Sequence, residues 1–227
     1  MSEMRSAGPS EYAIEADWNA LLVDGEWTEG DETIPVEDPS TRETVAEVPA
    51  GTESDVDAAY EAAAAAQTDW AATPPARREG VLTDLVQAIE SHRDELIELL
   101  AAEVGGSRIM GETSIQITLD HAREAATYPR RLEGQHKGSN ISGKENAVER
   151  GPAGVVTVIS PWNFPLNLSM RAIGPAVATG NTVVCKPATN SPITGGLVFA
   201  KLFEEIGLPD GVVNVVTGKG SEIGDRV

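Results

Sequence analysis

From Ala153 onward the apolar positions of this 227-residue chain stop recurring every three or four residues and run together. The stretches 153-AGVVTVIS-160, 182-TVVCK-186 and 212-VVNVV-216 are near-continuous and rich in β-branched residues, the pattern of strands buried on both faces. Between them 165–179 and 192–206 read as helices, the first interrupted by Gly174-Pro175, and another begins at Ser221. The order βαβαβα predicts a parallel sheet with right-handed crossovers. Three such strands leave an unpaired apolar edge. Ahead of them the period is helical. Thr52 and Asp55 form a T-x-x-D start to 55-DVDAAYEAAAAAQTDW-70, whose alanine run predicts a packed helix face. A second helix is expected from Pro74-Pro75 to about Val104, with Val81, Leu82, Leu85, Ile89, Leu96, Leu99 and Leu100 as its stripe and Gly105-Gly106 as its stop. A third covers roughly 109–127 and ends before Pro129. Residues 1–50 read as an irregular arm with short strands: a hairpin at 21-LLVDGEWTEG-30 turning on Asp-Gly, and two apolar pieces around Asp38-Pro39-Ser40. The Gly-, Ser-, Asn- and Lys-rich run 133–144 predicts a loop or an exposed hairpin arm leading into 145-ENAVERGP-152.

Charge changes the picture in one place. The net charge is −19, and residues 1–57 alone carry 16 acids against Arg5 and Arg42. From Gly151 to Phe203 there is no acid at all, while Arg171, Lys186 and Lys201 add three positive charges. So acidic a chain repels nucleic acid and anionic membrane. The neutral-to-basic island would tolerate an anionic small molecule, although buried strands also lack charge. Arginine outnumbers lysine by 12 to 5 in an acid-rich chain, which resembles proteins of salt-loving microbes. No apolar run is long enough to span a membrane, no secretory leader stands in the first thirty residues, and the single cysteine, Cys185, allows no internal disulfide. A cytoplasmic protein is expected. His92, His121 and His136 lack the paired spacing of a metal motif, so no metal site is expected.

Ligands of parallel sheets bind beyond the carboxyl ends of the strands. Here those ends are Ser160-Pro161-Trp162-Asn163, Lys186-Pro187 and Thr217-Gly218-Lys219-Gly220. Pro161 and Pro165 each fix one φ and bias the residue before them towards extended backbone. An amide held so rigidly at Asn163 suits an oxyanion donor; it equally suits a helix cap. Lys186 suits a donor to ribose hydroxyls or phosphate, or a solvated strand end. In 218-GKGSEIG-224, Gly220 and Gly224 would let backbone approach a pyrophosphate, with a spacing that departs from G-x-G-x-x-G.

Taken together, 151-GPAGVVTVISPWNFPLNLSMRAIGPAVATGNTVVCKPATNSP-192, 207-GLPDGVVNVVTGKGSEIG-224 and 23-VDGEW-27 closely resemble the NAD(P)-dependent aldehyde dehydrogenase family. The resemblance implies a truncated form of that fold: an α/β chain with a partial Rossmann-like parallel sheet, preceded by the arm, the helical region and the hairpin. Its parts would be 1–132 for arm and helices, 133–150 for an oligomerisation-type hairpin, and 151–227 for the first half of the dinucleotide-binding sheet. Asn163 falls at the position that holds the oxyanion of a thiohemiacetal. Ile159, Ser160, Pro161 and Trp162 fall at cofactor-contact positions, Lys186 at the adenosine-ribose lysine, and Gly220, Ser221 and Gly224 where the pyrophosphate helix begins. Thr189 in 186-KPAT-189 stands where the family's K-P-S-E carries a ribose-gripping glutamate, so NAD or NADP is expected. The implied reaction is oxidation of an aldehyde to a carboxylic acid, and 165-PLNLSMR-171 resembles the benzaldehyde and vanillin dehydrogenase branch. A dimer or tetramer is implied when complete. The family's nucleophilic cysteine and general-base glutamate fall beyond Val227, and Cys185 is not that cysteine. This chain alone is therefore expected to be inactive, and a non-catalytic dinucleotide-binding remnant or a pseudoenzyme is the alternative.

Overall fold

Thr52 opens the first helix with a reciprocal cap. Its hydroxyl accepts from the Asp55 amide, and the Asp55 carboxylate accepts from the Thr52 amide at 2.7 Å. The helix that follows, α1 (Glu53–Ala72), buries Val56, Ala59, Ala62, Ala63 and Trp70, so the alanine run is a packed face as its pattern predicts. The computed structural model describes residues 18–227, so the first part of the arm expected over 1–50, residues 1–17, lies outside the described residues.

Two expectations about helices are corrected. The predicted helix from 75 to about 104 is two, α2 (Pro75–Ser91) and α3 (Arg93–Val104), which break at His92. The His92 amide bonds the Ala88 carbonyl, ending α2, while Asp94 and Glu95 favour a new helix start. The His92 ring reaches Glu95 at 2.7 Å and, across the fold, Glu205 at 2.8 Å. The apolar stripe runs on across the break, and all seven of its predicted members are buried. Gly105, at φ 68°, closes α3 in the left-handed conformation that glycine adopts without strain. α4 (Arg108–Thr127) follows, capped by the Ser107 hydroxyl. The second correction is α5 (Pro165–Ala178), which passes through Gly174-Pro175 without interruption. A Cβ on Gly174 would lie 2.3 Å from the Met170 methyl and 3.2 Å from Ala125 of α4, so this glycine lets the two helices approach closely.

The described residues form one five-stranded sheet and two separate two-stranded pairs. In the sheet β7 (Val155–Ile159), β8 (Thr182–Lys186) and β9 (Val213–Val215) are parallel and adjacent in that order. All five residues of β8 are buried. Val184 faces the α1 side with Val56, Ala59 and Ala63, whereas Val183 and Cys185 join the core made with α5 and with α6 (Val198–Glu205). The hairpin of β1 (Leu21–Val23) and β2 (Glu26–Thr28) adds antiparallel to β9 through Leu22 and Val215. One edge of the parallel sheet is thus closed. The other edge is β7, with Thr157 and Ile159 exposed. Separate pairs are formed by β3 (Thr33–Glu37) with β4 (Thr44–Pro49), and by β5 (Gln135–Gly138) with β6 (Glu145–Val148); every residue of the latter pair is exposed.

Candidate functional site

Parallel pairing sets Ile159 beside Lys186, and the Ser160 amide bonds the Lys186 carbonyl at 3.3 Å. Ser160 is buried and its hydroxyl donates to the Gly195 carbonyl at 3.3 Å. The chain then turns outward. Pro161, Trp162 and Asn163 are exposed, and Ile159 and Trp162 present 67% and 60% of their surface to solvent. The residue at the N-cap of α5 is Phe164, without a side-chain cap bond, and the Asn163 amide makes no hydrogen bond among the described residues. Asn163 is therefore not a helix cap. Its dipole stands free on a turn fixed by two prolines.

Lys186 is not a solvated strand end. It is only 5% exposed, and its ammonium donates to the Pro187 carbonyl at 2.9 Å. No carboxylate lies within ion-pair distance among the described residues. Burial pulls its pKa below the usual lysine range. Thr189 is part of the same loop, but its hydroxyl donates to the Gly218 carbonyl at 3.2 Å and ties this loop to the turn after β9. That turn is held from below: the Thr217 hydroxyl bonds the Pro49 carbonyl at 2.6 Å, and the Gly51 amide bonds the Thr217 carbonyl at 3.0 Å. A short helix α7 (Gly220–Ile223) begins there, carrying Gly220 and Ser221, with Gly224 at its end. Ile159, Ser160, Lys186, Thr189 and the Gly218–Gly220 turn thus line one end of the sheet. Trp162 and Asn163 stand off that line on the outward turn.

Cys185 is wholly buried, and burial pushes its thiol up to about 12, so it offers no thiolate. Among the described residues no group of three His, Cys, Asp or Glu side chains could hold a metal ion, and no helix is long and apolar enough to cross a membrane. A cleft lined by Gly25, Glu204, Leu208 and Asp210 lies at the amino end of β9, away from all the predicted residues.

Three features beneath the site escape a motif search: Glu103, Ser169 and the Gly195-Gly196 pair. Glu103 left one trace in the sequence. It follows Leu96, Leu99 and Leu100 at helical spacing, an acid on an apolar stripe.

Residues 27–227 match the model of the aldehyde dehydrogenase family. Vanillin dehydrogenase of Corynebacterium glutamicum is 47% identical over 207 residues, which is 90% of this chain and 43% of that relative. D-Glyceraldehyde dehydrogenase (NADP(+)) of Picrophilus torridus is 34% identical over 91% of this chain and 42% of its own length. The crystal structure of an NAD-dependent benzaldehyde dehydrogenase from Corynebacterium glutamicum superposes with a TM-score of 0.90 at 46% identity, over 93% of this chain and 46% of that one. The chain spans less than half the length of these relatives, and it belongs to the aldehyde dehydrogenase family.

Proposed function

We propose that this chain is the cofactor-binding part of an oxidoreductase that converts an aldehyde to a carboxylic acid with NAD or NADP. The observation that carries it is Lys186, a buried cation with no carboxylate within ion-pair distance among the described residues, at the carboxyl end of a parallel strand. Such a charge costs free energy unless an anion or a set of polar groups joins it. A dinucleotide brings both. Lys186 would bind its adenosine ribose or phosphate, the backbone around Gly220, Ser221 and Gly224 its pyrophosphate, and Ile159, Ser160, Pro161 and Trp162 its nicotinamide end. When bound, the nicotinamide accepts a hydride. The Asn163 amide then has the freedom and rigidity to stabilise oxygen charge that develops on the aldehyde.

The vanillin and benzaldehyde relatives support an aromatic aldehyde as substrate. Both cofactors fit on chemical grounds, because Thr189 brings no carboxylate to repel a 2′-phosphate. The exposed β5–β6 hairpin is the natural arm for a homo-oligomer, and we place the enzyme in the cytoplasm. Since Cys185 is inert, this chain by itself would bind nucleotide without oxidising aldehyde. Calorimetric titration with NAD and NADP should show saturable binding of each, and no reduced cofactor should form with benzaldehyde. Absence of binding by both nucleotides would remove the cofactor site.

A further inference from the structure

We propose that Glu103 is a positioning residue of the cofactor site: it clamps the segment Ile193–Leu197, against which the turns carrying Asn163 and Lys186 both rest. The inference rests on the cofactor reading above, but it concerns a residue outside every motif that reading uses.

Glu103 lies at the end of α3 and is 2% exposed. One carboxylate oxygen accepts from the Ile193 amide at 2.7 Å. The other accepts from the Thr194 amide at 2.8 Å and from the Thr194 hydroxyl. Burial pushes its pKa up to about 7, against those three donors, which favour the charge. A carboxylate suits the task because it accepts on both oxygens and presents no donor. A glutamine would have to turn an NH2 group towards an N–H.

What Glu103 holds is unusual in shape. Ile193–Leu197 is a π-helical turn, wider than the α6 helix that follows it, and such turns occur frequently at functional sites. Its Gly195 carbonyl is a meeting point. It accepts from Ser169 of α5 at 2.6 Å and from Ser160 of the β7 end at 3.3 Å. The Gly195-Gly196 pair is also closely packed against these loops. A Cβ on Gly195 would lie 3.2 Å from Pro187 and 3.4 Å from Pro165, and one on Gly196 would lie 2.7 Å from Pro187. Pro187 follows Lys186, and Pro165 stands two residues after Asn163. A shift of this turn therefore displaces both loops together. Geometry in a site of this kind tolerates little displacement.

The test compares the wild-type chain with Glu103→Gln and with Thr194→Val, which removes only the hydroxyl donor. Backbone hydrogen exchange is followed by mass spectrometry without nucleotide. Peptides over 158–168 and 186–191 should exchange about tenfold faster in Glu103→Gln and less so in Thr194→Val. Peptides over 53–91 and 33–49 should keep the wild-type rate. The Kd for NAD should rise at least about fivefold in Glu103→Gln, at a temperature where its circular dichroism matches the wild type. Faster exchange confined to 97–107 and 193–199 with an unchanged Kd would overturn the proposal. So would uniform acceleration of every peptide in both variants, since that marks a scaffold role alone. A wild type that binds no NAD would count against the cofactor site itself, while the exchange pattern without nucleotide would still decide whether Glu103 holds the two turns.

Discussion

Lys186→Met separates binding from stability. The substitution keeps an unbranched stem and removes the ammonium. Among the described residues that ammonium donates to one partner, the Pro187 carbonyl at 2.9 Å, and the lysine as a whole is only 5% exposed. Losing a hydrogen bond to a charged group costs roughly 1.5–3 kcal/mol. Relieving the desolvation of an unpaired buried cation returns several kcal/mol, and apolar replacement of buried charge is often neutral or stabilising. The balance is zero to about 1 kcal/mol in favour of the variant, a Tm unchanged or raised by roughly 2–4 °C for a chain of this size. Nucleotide binding moves the other way. A charged donor lost from a ribose or phosphate contact removes roughly 1.5–3 kcal/mol, or a factor of about 10–150 in Kd. Calorimetric titration with NAD and a thermal melt of both proteins measure the two effects. A Tm lowered by more than about 4 °C with an unchanged Kd would refute the reasoning, because the lysine would then be holding the strand end rather than waiting for an anion.

Three further outcomes follow from the same geometry. In the complete enzyme Asn163→Ala should lower kcat by about 10²–10³ with little change in the KM for NAD, as for one lost oxyanion donor. Because Asn163 is exposed and caps nothing, its melt should match the wild type; a lower Tm with intact turnover would reverse that assignment. In the complete enzyme Thr189→Glu should likewise shift the ratio of kcat/KM values towards NAD by about tenfold, on the order of 1.4 kcal/mol, and an indifferent ratio would take Thr189 out of the cofactor site. For His92, burial opposes the charge, but hydrogen bonds to Glu95 and Glu205 outweigh it and raise the folded pKa above the ordinary imidazole value. The stability it contributes is therefore complete below about pH 6.5 and lost as pH rises through the raised value. The Tm gap between wild type and His92→Gln should be widest near pH 5.5 and close above that value; a gap that widens with pH would contradict the pairing.

The strands β8 and β9 were legible because a strand buried on both faces tends to a continuous apolar run; β7 has the same pattern and was expected to be buried likewise, but it is the open edge of the sheet, with Thr157 and Ile159 exposed. The candidate site residues stood out for a related reason: prolines, glycines and a lysine at strand ends have no role in a sheet. The break at His92 was not legible, because the apolar stripe of α2 and α3 runs straight through it. Only the ring's reach to Glu205, 113 residues away, shows what the junction serves. The Gly174-Pro175 pair misled in the opposite sense. Proline removes one amide donor, but in α5 the tight packing of Gly174 against Met170 and Ala125 keeps the helix on course. Nor could periodicity show that the 21–28 hairpin closes the β9 edge, since a hairpin's own pattern does not name its neighbour.

Glu103 marks the deeper limit. Motif reading finds residues whose local surroundings make no sense, such as a tryptophan and an asparagine between two prolines. Glu103 sits in a helix, where glutamate is ordinary, and its partners Ile193 and Thr194 are 90 and 91 residues away. What made it improbable was its place on an apolar stripe, and that becomes meaningful only when three donors are found converging on it. The candidate site would therefore be written at two ranges. The groups that would touch a nucleotide stand in short motifs at strand ends. The groups that set the distance between those motifs are dispersed, single and locally unremarked. Changing the first should cost binding or turnover directly. Changing the second should leave every contacting side chain in place and still lose affinity, because Ser160 and Ser169 would no longer meet the same carbonyl.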